Sequence, residues 1–311
     1  MARNQVVQLT RDSGLRNRMY LTMVMLAGVY AFFILLLISA GIPLVLVVGF
    51  AAAMAGIQYF ASDRMIMKST GAKEITRNEA PVLYDMVERL ANRADMPMPK
   101  VAIMQSAAPN AFATGRNPKN ALVAVTTGIQ ERLTDRELEA VIGHELSHIK
   151  NRDVTVITLA SFFLTVASFV MQMMFFRMMF GGFGGNRNTN GGAMMMLLVG
   201  TLLVQFVAQL LIMTLSRYRE YGADHSGAEL TGDPGSLATA LEKISSATAQ
   251  VPSNDLRKMT SASALAFYPT LKGHSVQSLF STHPPLEDRI MRLRQLENEM
   301  RNAPQPSRLD N

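Results

Sequence analysis

Thr134 to Asp153 reads TDRELEAVIGHELSHIKNRD. At its centre stands His144-Glu145-Leu146-Ser147-His148, an HExxH pattern. The spacing predicts a helix with His144 and His148 one turn apart on one face, where two imidazoles can reach a single metal ion. Glu145 projects beside them, where its carboxylate can take a proton from water. Zinc favours this arrangement, because a catalytic zinc needs about three protein ligands and one open position. The helix has local support. Thr134 and Glu137 form a T-x-x-E capping box. Leu138, Val141, Ile142 and Ile149 give a buried stripe beside the histidines, and no proline interrupts the run. The bland alternative is a pair of histidines on an exposed helix face.

A third ligand is needed, and the stretch Ser216-Arg217-Tyr218-Arg219-Glu220-Tyr221-Gly222-Ala223-Asp224-His225 offers one. On a helix, Glu220 and Asp224 share a face. Glu220 is the best third ligand, and Asp224 can hydrogen-bond a ligand imidazole from behind. The alternative is a solvated charged face.

Composition points to a membrane. Hydrophobic residues are 49% of the 311 and charged residues only 17%. The net charge of +6 lies mainly beside apolar runs, which favours a lipid surface over nucleic acid. Tryptophan and cysteine are absent, so disulfides and cysteine-ligated zinc are excluded.

Four runs carry no charge: Met19–Ala40, Pro43–Ala61, Val156–Phe176 and Ala193–Leu215. Each is about 30 Å long as a helix, the thickness of the hydrocarbon core. They pair into two helical hairpins. The first turns at Ala40-Gly41-Ile42-Pro43, and the second at the Gly/Asn-rich loop GGFGGNRNTNGG. A cleaved signal peptide is the alternative for the first run, and buried core helices for the second pair. Arg11, Arg16 and Arg18 precede the first hairpin and Arg64, Lys68 and Lys73 follow it, so both its ends are expected in the cytoplasm. Two crossings between His148 and Ser216 would return the chain to the side it left, where Glu220 can complete a site begun at His144.

The expected organisation is a cytoplasmic arm (1–18), a first transmembrane hairpin (19–61) and a first protease segment with the HExxH helix (62–155). A second hairpin (156–215), a second protease segment (216–301) and a disordered tail (302–311) follow. Within the protease segments the patterning predicts an amphipathic helix over Glu79–Ala94 and strands at Val101–Met104 and Ala121–Thr126. It also predicts a helix from Asp233-Pro234 to about Ala249, an irregular stretch over 250–282, and a last helix opened by Pro284-Pro285. The fold class is a mainly α membrane protein, with two transmembrane hairpins and a cytoplasmic α+β zincin-like domain.

HELSHIKNRD, then SRYREYGADHSGA, then STHPPLEDRI, together with PNAFATG, closely resemble the HtpX family of membrane zinc metallopeptidases, gluzincins related to the CAAX prenyl protease. The resemblance covers nearly the whole chain. It implies one zinc ion held by His144, His148 and Glu220. Glu145 would be the general base and later the proton donor, and Asp224 the aspartate that orients a ligand histidine. It implies that His283 and Arg289 lie near the metal, His283 binding the oxyanion or capping the zinc and Arg289 supporting either. Asn110, Ala111 and Phe112 match an edge-strand segment that holds substrate backbone. His225 and His274 are expected to be structural or surface residues. The implied substrates are proteins, misfolded or damaged membrane proteins among them, in stress-linked quality control at the inner membrane, with no nucleic-acid partner. A processing protease for a lipidated substrate is a second reading. A metal-binding scaffold or transporter is a third, but the four runs lack the ionisable groups that transporters place inside their spans, apart from Arg177 at a boundary. Oligomeric state is not encoded in any of these patterns.

Overall fold

The computed structural model describes residues 13–45, 47–50, 52–54, 56–57, 67, 70–115, 117–180, 191–248 and 284–302. Outside these lie most of the N-terminal arm, parts of the second apolar run, the loop centred on 181–190, the stretch 250–282 with His274, His283, and the tail beyond 302. The chain divides into two compact units. One contains Ser13–Ser62 and Asp153–Tyr218; the other contains Asp63–Arg152 and the chain from Arg219 onward.

The first unit is built from apolar helices. α1 is Ser13–Ser39. The helix ends where the sequence turns: Ile42 N–H donates to Leu37 O at 3.0 Å, with Gly41 between them at φ +67°. That left-handed cap costs a glycine little and most other residues more. Among the described residues three helices are long and apolar enough to cross a membrane, containing Ser13–Ser39, Thr155–Phe176 and Met194–Thr231. Inside the bundle Phe33, Leu37, Val166, Val170 and Val204 form a buried cluster. Two polar contacts tie the helices together: the Tyr30 hydroxyl donates to Ala160 O, and Gln205 Nε2 donates to Ser168 Oγ at 3.3 Å. Leu21, Val24, Leu35, Leu159, Leu203 and Phe206 point outward, as lipid-facing residues do.

The second unit is α+β. Among the described residues its sheet has four strands in the order β1-β2-β4-β3. These are β1 (Lys73–Glu74), β2 (Lys100–Met104), β3 (Ala111–Gly115) and β4 (Ala121–Thr126). β2 and β4 are parallel, Val101 facing Val123; β3 runs antiparallel to β4, Phe112 facing Ala124. Period-2 alternation divides the side chains between two faces. Val101, Ala111, Ala113, Val123 and Val125 enter the main core with the helices. Ala102, Met104, Phe112, Leu122 and Ala124 form a smaller cluster on the other face.

The helices on the main core are α2 (Pro81–Arg93), the short α3 (Thr127–Arg132) and α4 (Asp135–Lys150). α5 (Asp153–Phe180) and the first part of α6 (Gly191–Thr231) belong to the apolar unit. The end of α6, α7 (Pro234–Thr248) and α8 (Leu286–Asn302) complete the second unit. α4 begins as its sequence predicts: Thr134 Oγ1 accepts from Glu137 N–H, and Glu137 Oε2 accepts from Thr134 N–H at 2.8 Å. Two features departed from the sequence pattern. β1 is two exposed residues with no alternation to announce it. α6 runs on unbroken to Thr231, although its hydropathy falls away after Leu215.

Candidate metal centre

α4 and the end of α6 cross at two glycines. A Cβ on Gly227 would lie 2.7 Å from His144 N and 2.8 Å from His144 Cα, and one on Gly143 would lie 3.2 Å from Gly227 O. Only glycine permits that approach, and it brings the polar face of α6 against the histidines of α4. This crossing was absent from the sequence reading. Its signal was present: Gly143 and Gly227 sit inside helical patterns, where glycine costs about 1 kcal/mol against alanine and so marks a packing need.

The ligand-bearing atoms converge. His144 Nε2 and His148 Nε2 are 3.1 Å apart. Glu220 Oε2 is 3.7 Å from His144 Nε2, and Glu220 Oε1 is 3.5 Å from His148 Nε2. Among the described residues these three form the one His/Asp/Glu group whose donor atoms lie within 4.8 Å of one another. Ligand atoms around a tetrahedral zinc are separated by about 3.3 Å, given bonds of about 2.0–2.1 Å. The nitrogen–nitrogen–oxygen donor set and its spacing therefore fit such an ion.

Behind the ligands lies a buried relay. His144 Nδ1 is 3.0 Å from Asp224 Oδ1, so Nδ1–H donates to the carboxylate and the Nε2 lone pair faces the other ligands. Arg289 grips the same carboxylate with both arms of its fork, Nε–H to Oδ2 at 2.8 Å and Nη2–H to Oδ1 at 2.7 Å. Its Nη1 stands 3.6 Å from Glu220 Oε2. His144, Asp224 and Arg289 are 1%, 3% and 1% exposed, so this pairing is desolvated.

Burial and neighbours set the protonation states. Burial pushes the His144 imidazole down, and Asp224 opposes this without reversing it, so the ring is held neutral, the form that binds metal. Burial alone would raise Asp224, but Arg289 and His144 together outweigh it and hold the carboxyl below its usual range. Burial likewise works against the Arg289 charge, and Asp224 with Glu220 more than restores it. Glu145 is pushed up to about 8, first by burial; His148 and the Ala113 N–H pull down while Glu220 adds to the rise. A cation beside Glu145 would return it toward the carboxylate. When ionised, the buried carboxylates Glu145, Glu220 and Asp224 face one guanidinium, and a divalent ion would balance the remaining charge.

Among the described residues β3 is an edge of the sheet, and it lies beside Glu145. Thr126 N–H donates to Asn110 O at 2.9 Å and Asn110 N–H donates to Thr126 Oγ1 at 2.9 Å, so Asn110 faces β4. By alternation the backbone groups of Ala111 and Ala113 point away from β4. The Ala113 N–H on that side draws the Glu145 carboxyl down. Phe112 is buried in the smaller cluster and anchors the strand. His225 lies 3.6 Å from Glu229 and outside the ligand group.

Residues 77–297 match peptidase family M48. A protein of Moorella thermoacetica called Protease HtpX homolog is 53% identical, over 94% of this chain and 98% of its own. One of Methanosarcina acetivorans called Protease HtpX homolog 2 is 48% identical, over 93% of this chain and 98% of its own. The crystal structure of S. mikatae Ste24p has the same fold, with a TM-score of 0.56 at 17% identity, covering 91% of this chain and 67% of that one. The family match takes in both halves of the crossing, HExxH on one helix and Glu220 on the other. With three helices in the same chain long and apolar enough to cross a bilayer, the chain belongs to peptidase family M48 and is a membrane metallopeptidase.

Proposed function

We propose that the protein is a zinc-dependent endopeptidase whose site faces the cytoplasm from a multi-pass inner-membrane anchor of two hairpins. The observation that carries this reading is the convergence of His144, His148 and Glu220 next to a buried Glu145. When bound, zinc supplies a Lewis acid that polarises a peptide carbonyl and acidifies water. His144, held by Asp224, His148 and Glu220 would hold it. Glu145 takes the proton from the attacking water at its carboxylate and hands it to the leaving amine. That carboxylate stands beside β3, where substrate backbone would lie along Ala111 and Ala113 by strand addition. His283, outside the described residues, is assigned on the family resemblance to the oxyanion or to a resting-state cap. The substrates proposed are misfolded or damaged membrane proteins, whose exposed backbone suits strand addition. A stress-linked quality-control role follows from that substrate class.

The test is zinc content and cleavage of an unfolded protein in detergent, comparing the parent with Glu145→Gln. About one zinc per chain in both, with a loss of turnover of at least about 100-fold in the variant, supports the reading. Cleavage by Glu145→Gln at the parent's rate would overturn the role of Glu145. A parent without zinc would overturn the metal site.

A further inference from the structure

We propose that Arg289 is a positioning residue that sets the metal affinity of the site through Asp224 and Glu220, and that it does not act on substrate. The proposal deepens the metal-site reading above and rests on it. A guanidinium carries five N–H donors in a fixed plane. Here Nε and Nη2 are committed to the two oxygens of Asp224, at 2.8 and 2.7 Å. Nη1 faces Glu220 Oε2 at 3.6 Å, too long for a hydrogen bond but close for a charge in a desolvated site. At 1% exposure the side chain offers no face to a peptide. One group therefore spans the aspartate that aims His144 and the carboxylate that supplies the third donor.

The helix carrying it is fixed to the same stretch of α6. Arg292 lies over the Tyr221 ring at 4.1 Å from its centroid. Arg289 and Arg292 are three apart on α8, and Asp224 and Tyr221 are three apart on α6, so the two helix faces meet as matched rungs. Leu293 is buried in the main core, and Arg294 Nη2–H donates to Thr239 Oγ1 of α7 at 3.3 Å. α8, distant in sequence from HExxH, thus determines where Glu220 and Asp224 stand. Lysine cannot replace the arginine, because it keeps the charge but loses the planar fork.

The experiment measures zinc affinity by competition with a chromophoric chelator, on detergent-purified full-length protein carrying Glu145→Gln to prevent self-cleavage. Arg289→Lys, Arg289→Gln and Asp224→Asn are each introduced. Each is expected to weaken zinc binding about 10- to 100-fold. Arg289→Gln combined with Asp224→Asn is expected to be little weaker than either alone, since both break one linkage. With Glu145 restored and zinc saturating, Arg289→Lys should lose less than about 100-fold in kcat. Unchanged zinc affinity overturns the proposal, as does a kcat loss of 100-fold or more at full zinc occupancy, which would mark action on the substrate. Loss of helical circular dichroism together with zinc in both arginine variants also overturns it, leaving a purely structural role. The zinc content of the parent separately tests the underlying metal-site reading.

Discussion

At Gly227 one missing carbon decides whether three ligands can share an ion. A Cβ there would meet His144 N at 2.7 Å and His144 Cα at 2.8 Å, both backbone atoms of the ligand helix. Ordinary carbon contacts need about 3.5–4.0 Å, so α6 would have to retreat by roughly 1 Å. Metal ligation tolerates about 0.2 Å. The helix-propensity gain of about 1 kcal/mol is outweighed by an overpacking cost of about 1–3 kcal/mol. Gly227→Ala is therefore expected to lose at least about 10-fold in zinc affinity, read by chelator competition, with the ligands themselves intact. Gly143→Ala should be milder, because its Cβ would meet the Thr231 Cγ2 methyl at 2.8 Å, and a side chain can move. Thr231→Ser, which lacks that methyl, should rescue it in part, since the 3.2 Å approach to Gly227 O stays. A Gly227→Ala protein with parental affinity would show that the close crossing does not set the site. At this scale the grouping of His144, His148 and Glu220 was legible, because HExxH and the carboxylate face of 220–224 each announce their chemistry. The fork of Arg289 on Asp224 was not, since no local pattern tells an arginine which carboxylate it will meet.

The metal helix is anchored at its first turn. Glu137 Oε2 accepts from Thr134 N–H at 2.8 Å and from Lys243 Nζ at 2.8 Å, so one carboxylate both caps α4 and ties it to α7. Burial works to raise its pKa, but Lys243 and the Thr134 groups outweigh burial and hold it below the usual carboxylate range. A depressed folded pKa gives stability that is fully present above the unfolded value of about 4.3 and is lost as pH falls through the folded one. Glu137→Gln keeps a capping side chain and removes only the charge. On metal-free protein the variant should melt less stably than the parent at pH 7 by about 0.5–1 kcal/mol, because Lys243 is partly exposed and screened. The gap should close as pH falls through the lowered folded-state value. A gap that stays constant with pH would assign the loss to packing. Thr134→Ala removes the cap itself and should cost about 1 kcal/mol. The elements built this way were the legible ones: α4 from its capping box, β4 from ALVAVT, and α2 from its apolar stripe. β1, too short for a period, was not, and the unbroken length of α6 was hidden because a fall in hydropathy marks a change of surroundings and not the end of a helix.

For the molecule as a whole, the site constrains the topology. His148 on α4 and Glu220 on α6 lie within one unit, with Glu220 Oε1 3.5 Å from His148 Nε2. Between them the chain passes through α5 and then the apolar part of α6, each long and apolar enough to cross a membrane. An ion held by both ends requires an even number of crossings between them, and two helices provide two. If both span, residues 181–190 lie on the side opposite the protease unit. On the orientation proposed above, argued from the positive charges that flank the first two apolar runs, the protease unit would face the cytoplasm. The chain contains no cysteine, so single cysteines can be introduced without background. Asn186→Cys should react with a membrane-impermeant maleimide in intact cells, once any outer barrier is opened. Arg136→Cys, exposed at the start of α4, should react only after the inner membrane is broken. The reverse pattern would invert the protein and place its protease unit outside the cytoplasm. Labelling of both from one side would mean that α5 and α6 do not span, and the ligands would then meet without any crossing.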